Sequence, residues 1–222
     1  DVMFNLYLLD SGDYVQTDDG KIHYSSVKAD QIQWLKDSYD EDHPSFIFQH
    51  IIVQDVYDSL FWRIHGKSSG KFIKHFDGDK YYFCIPKIYR IKDGFVLEKP
   101  CPGFYNHGEF DAIVDLNKKS SNPVLAVFSG HDHSNSFRIR YKNIDLVNTA
   151  SAKPARNFIK NINRGCRIIT LNENKITKYR TYTLTYVKLK ICIFFRTVAD
   201  LWHALSRSRG SSSTGCISDS LE

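Results

Sequence analysis

The chain has little in it that would support redox or sulfur chemistry. Its five cysteines, Cys84, Cys101, Cys166, Cys192 and Cys216, include no C-x-x-C pair, which excludes a zinc ribbon and a thioredoxin-like motif. An odd count allows at most two disulfides with one thiol left over and does not fix the compartment. No apolar run approaches the ~18 residues of a membrane-spanning helix, and no N-x-[ST] glycosylation acceptor occurs. A phosphate loop is also missing. Lys67-Ser68-Ser69-Gly70-Lys71 has the look of one, but Gly66 and Gly70 stand too close together and Phe72 follows where Ser or Thr is required. The net charge of +5 and pI near 8.8 can favour anionic ligands, yet the excess is too diffuse to be a nucleic-acid signal. The sequence starts at Asp1 without Met or signal peptide, directly in a strand-like run, so it reads as a piece of something longer.

What is present is globular: 222 residues, 42% hydrophobic, 14% aromatic and 25% charged, enough for one substantial core. Residues 2–9 and 45–53 read as β-rich apolar strands, and 124–128, apolar throughout, as a strand buried on both faces. Asp10–Asp13 and Asp18–Gly20 carry turn chemistry, so Asp10 and Asp13 are expected in a solvated turn. Val27, Ile32, Leu35 and Tyr39 share one helical face, with Ser26 or Asp30 available as a cap. Val56, Leu60 and Ile64 suggest a second, short helix, and Phe110, Ile113, Val114 and Leu116 a third, ending before a loop at 117–123. Residues 81–85, 137–141, 144–147, 164–172 and 176–187 have strand patterns, the second and third as a hairpin. Gly78-Asp79 is expected to turn into the first of these. The last 35 residues, 188–222, carry arginines and a serine-rich stretch and are expected to be an unassigned, partly disordered tail.

The sharpest chemical signal lies after the apolar strand. Ser129-Gly130 breaks it, and His131 and His133 follow with Asp132 between them. Neutral imidazole is the commonest protein metal ligand, and the carboxyl ends of buried strands are where open α/β sheets build ligand sites. Gly130 is expected to spare a tight turn a crowding Cβ, letting two successive ligands face one site. Gly130-His131-Asp132-His133 resembles the closing G-H-x-H motif of calcineurin-like metallophosphoesterases, in a purple-acid-phosphatase-like form. The helix, proline, strand and His order around Ser45–Val53 is similar to the region of that family that supplies an isolated histidine, here His50, although Ile52 stands where the family has proline.

The resemblance covers residues 1–187 and implies the following. The fold would be α/β, a four-layer sandwich of two mixed sheets flanked by helices, incomplete at its N-terminus. The site would hold two divalent ions, Fe, Mn or Zn, with His50 and His131 on one and His133 on the other, and the substrate would be a phosphoester. Asn106 is a weak candidate for substrate contact, and Asn106-His107 with Glu109 imitates the family's G-N-H-[DE] motif in the wrong order. The D-x-H, G-D-x-x-D and G-N-H-[DE] motifs that carry the remaining ligands do not occur before His50. A metal-dependent phosphatase scaffold that is inactive as it stands is therefore the leading expectation. A noncatalytic interaction module on the same scaffold and a single structural zinc site are the alternatives.

Overall fold

In the computed structural model, residues 2–65, 73–77, 80–153, 164–172 and 178–185 are described. The Lys67–Lys71 loop, Gly78-Asp79 and the tail at 188–222 lie outside them. The chain runs through β1 (Asn5–Leu8), β2 (Tyr14–Gln16), β3 (Ile22–Tyr24), α1 (Ala29–Asp37), β4 (Ser45–Phe48), α2 (Val56–Leu60), β5 (Phe61–His65), β6 (Ile73–Asp77) and β7 (Lys80–Pro86). A short 3-10 turn follows, then β8 (Ile91–Phe95), α3 (Glu109–Lys119), β9 (Val124–Ser129), β10 (Ser136–Tyr141), β11 (Ile144–Asn148), β12 (Gly165–Leu171) and β13 (Tyr179–Thr185).

Six strands make one mixed sheet in the order β1-β4-β9-β11-β10-β8. The first four are parallel, and β10 and β8 close it with antiparallel pairs. Every residue of β9 is buried, as a central parallel strand covered on both faces must be. Alternation then sorts the side chains. Tyr7, Ile47, Val127, Leu146 and Ile139 face α1, α2 and α3 and share a core with Ile32, Leu35, Phe110 and Ile113. Phe46, Ala126 and Phe128 face the other way, against Ile169 and Tyr179 of the β12-β13 ribbon. Tyr179 stands edge-on to Phe46 with ring centroids 5.1 Å apart, and its hydroxyl donates to the buried Asp145 at 2.6 Å. Arg138 and Arg140 neutralise the same carboxylate at 3.3 and 3.2 Å.

The α/β class is what the structure shows, with a mixed six-stranded sheet. The strand pattern at 164–172 is realised as β12, which among the described residues pairs only with β13, in a ribbon separate from the six-stranded sheet. Its half-buried pattern suits a covering layer better than a sheet centre. The strand expected at 45–53 ends at Phe48, and in the loop that follows Gln49 Nε2 donates to Ile51 O at 2.8 Å. The helix expected to reach Ile64 stops at Leu60, and Phe61 onward pairs with β7. α1 begins after Lys28 with no side-chain cap, so neither Ser26 nor Asp30 caps it. α3 extends to Lys119, three residues into the expected loop, and β2 and β3 form a hairpin around the Asp18–Gly20 turn. Among the described residues, β1 is an open edge, with Leu6 57% and Leu8 74% exposed.

Burial separates what the core needs from what it tolerates. Ile47→Ala, at a fully buried position, is expected to destabilise by roughly 2–5 kcal/mol. Leu8→Ala on the open edge should stay within about 0.5 kcal/mol. Denaturant midpoints of the two variants check the contrast.

Candidate functional site

The parallel ladder between β4 and β9 continues past the end of both strands. Gln49 N donates to Phe128 O at 3.0 Å, and Gly130 N donates to His50 O at 3.0 Å. Main-chain hydrogen bonds thus bring the two emerging loops side by side at the carboxyl end of the sheet. His131 Nδ1 lies 3.3 Å from His50 Nε2, with the rings perpendicular.

His131 is held in an uncommon backbone conformation. Asp132 N donates to Gly130 O at 2.8 Å, closing a three-residue turn about His131, whose φ is +66°. Non-glycine residues pay for this region, and such strain gathers at functional sites. The glycine expectation is corrected here. A Cβ on Gly130 would meet only ordinary contacts, His50 Nδ1 at 3.7 Å and Thr149 Oγ1 at 3.8 Å; the left-handed residue is the histidine itself. Asn148 Nδ2 donates to the Gly130 carbonyl, Thr149 Oγ1 donates to Ser129 O at 2.9 Å, and the edge of His131 meets the Tyr24 ring at a centroid distance of 4.2 Å.

Asp132, between the two histidines, lines the same cleft as they do, but its carboxylate is already engaged. It is buried and accepts from Cys101 N and from Asn135 Nδ2, each at 3.0 Å. Asn135 Oδ1 also accepts from Leu97 N and Glu98 N at 2.9 and 3.0 Å. The histidine loop is thereby fastened to residues 97–101. Sequence reading passed over both residues, although an Asp and an Asn three apart around a turn are a recognised source of backbone-directed hydrogen bonds. Burial pushes the Asp132 carboxyl up to about 6. Burial first, then His50 and His133, lower the His131 pKa, so its ring is neutral at neutral pH.

A cleft of about 400 Å³ opens over this corner, lined by His50, His131, His133, Tyr14, Tyr24, Asp13, Glu98 and others. Ser11 Oγ, accepting from Ile51 N at 2.9 Å, ties its near wall to the His50 loop. The Asp10 side chain accepts from Gly12 N at 2.8 Å in the expected turn. Asn106 is not brought to the histidines. Its Oδ1 accepts from Gly108 N at 2.9 Å, and it lines a separate, smaller cavity with His107 and Glu109. His23 stacks on Phe104 and His43 pairs with Asp40 at 2.8 Å, both outside the cleft's lining. Among the described residues, no group of three or more His, Cys, Asp or Glu side chains is disposed to hold a metal ion. No helix among them is long and apolar enough to cross a membrane. Comparison with protein-family models, with curated proteins and with solved structures finds no match.

Two outcomes follow from this geometry. Because only glycine adopts positive φ without penalty, His131→Gly should be more stable than His131→Ala by about 1 kcal/mol, read from thermal or denaturant unfolding of the pair. Glu109, the first residue of α3, is 7% exposed, and burial pushes its carboxyl up to about 8 from 4.5. The unfolded chain therefore ionises it from about pH 4.5 while the folded chain keeps the proton, so stability falls as pH rises from 4.5 to 8 and levels off above. With chelator present, Glu109→Gln should flatten that slope and be the more stable chain above pH 8.

Proposed function

We propose that this chain carries the histidine half of a dinuclear phosphoester hydrolase centre, on a calcineurin-like metallophosphoesterase scaffold of the purple-acid-phosphatase-like branch. One observation carries the reading: the 3.3 Å between His131 Nδ1 and His50 Nε2. Two imidazole nitrogens each ~2.0–2.1 Å from one tetrahedral ion stand about 3.3–3.4 Å apart, so the bite of the pair fits a single ion of the zinc, iron or manganese class. The neutral His131 ring, held by the strained turn and by Tyr24, supports it. So does the placement of His133 in the wall of the same cleft.

In such a centre a pair of divalent ions polarises the phosphoryl oxygens and supplies a water acidic enough to attack near neutral pH. The chain's own part is to hold and orient. His50 and His131 would grip one ion, His133 would reach the neighbouring one, and the Asp132–Asn135 clamp would fix the spacing between them. Two imidazoles and a third set apart do not complete either coordination shell. Asp13 and Glu98 line the same cleft but form no metal-holding group with the histidines among the described residues, so further ligands would have to come from outside those residues before the centre could turn over a phosphoester.

The test is metal analysis of the chain after loading with zinc, manganese or iron, with an aryl phosphate as turnover probe. His50→Ala and His131→Ala are expected to lose bound metal together, while His107→Ala keeps it. Metal retained by His131→Ala and lost by His107→Ala overturns the assignment. No bound metal in the unaltered chain turns the reading toward an interaction module.

A further inference from the structure

The Gln49–Ile51 loop also borders a second, narrow cavity, lined by none of His50, His131 and His133. It measures about 10 Å³, the space of one water-sized or ion-sized occupant. Ser26, Gln49 and Glu109 all line it. Each contributes a buried oxygen with no hydrogen-bond partner, Ser26 Oγ, Gln49 Oε1 and Glu109 Oε1. The other polar atoms of the last two are engaged: Gln49 Nε2 donates to Ile51 O at 2.8 Å and to Glu109 Oε2 at 3.3 Å. Buried polar atoms are rarely left unpaired, and three around one void call for an occupant.

The chemistry of the three atoms selects its class. All are oxygens, and the amide oxygen can only accept. Asp55 lines the same cavity, and its carboxylate, after burial, helps to raise the Glu109 pKa; burial first, then Asp111 and Asp58, push the Asp55 carboxyl up to about 6. The charged groups around Asp55 are Asp58, Asp111 and Lys142, and Lys142 is already bonded to Asp111 at 3.2 Å. His107 also lines the cavity, but the unpaired atoms are all oxygens, set beside two carboxyls; that is the kind of ligand set a hard cation takes, and only such a cation would let a carboxylate this deeply buried ionise near neutral pH.

We propose that this cavity binds one divalent cation of the calcium or magnesium class through Glu109 Oε1, Gln49 Oε1 and Ser26 Oγ, with the Asp55 carboxylate as second negative charge and water completing the shell. The ion would join the start of α3 to the loop that presents His50, without being part of the histidine site. Binding displaces the Glu109 proton, so near pH 7 ion uptake releases acid.

The experiment titrates calcium and magnesium separately into the chelator-treated full chain by calorimetry, repeated in buffers of different ionisation enthalpy, with thermal unfolding alongside. The unaltered chain is expected to take up one ion with proton release and a raised unfolding midpoint. His50→Ala should bind it equally well, and Glu109→Gln should lose the binding while keeping any metal on the histidines. Ser26→Ala, which leaves the helix untouched, should bind more weakly and serves if Glu109→Gln does not fold. Absence of heat and of any midpoint shift with either ion means the cavity holds water only and overturns the proposal. Undiminished binding by both variants, or loss in His50→Ala, overturns it as well.

Discussion

Parallel hydrogen bonding between Ser45–Phe48 and Val124–Ser129 sets the height at which two loops leave the sheet. Because the ladder runs on through Gln49 and Gly130, His50 and His131 are carried to the same level by main chain and not by their own side-chain preferences. A slip of one residue would send each side chain to the opposite face. The register is protected by what it buries: Phe46 and Phe128 on one face, Ile47 and Val127 on the other. The histidine pair is therefore as well determined as the core beneath it.

The polar parts of the molecule follow the same economy. Asp145 is 1% exposed, yet two guanidinium groups and the Tyr179 hydroxyl meet its oxygens. A buried carboxylate surrounded this way fixes the ribbon over the sheet, whereas loss of one partner would leave a charge stranded in low dielectric. Asp132 works similarly for the loop above the sheet, with a backbone amide and an asparagine in place of the arginines. Glu109 is the exception, with one oxygen served and the other not.

The strands were legible in the sequence where apolar runs were long, as at 124–128, and the pairing of His50 with His131 followed from placing each after such a run. Other features were hidden for definite reasons. β4 ends at Phe48 inside the apolar run at 45–53, and the loop after it is held by Gln49 Nε2 on Ile51 O, a side-chain hydrogen bond that hydrophobic periodicity does not register. Phe61–Ile64 continued a helical pattern in composition, but pairing with a distant strand took precedence over it. Asn106 sat in a plausible motif and was taken up locally by Gly108. The positive φ fell on His131, one residue beyond the glycine that composition pointed to.

The open edge at β1 has a bearing on how the chain behaves in company. Leu6 and Leu8 stand exposed beside main-chain groups that no described strand pairs, and neither a lysine nor a proline interrupts Asn5–Leu8. Natural sheets usually guard such borders with charge, a bulge or a covering segment. A border left in that state is a template onto which another extended polypeptide can add, and among the described residues β1, on the far side of the sheet from β8, is such a border.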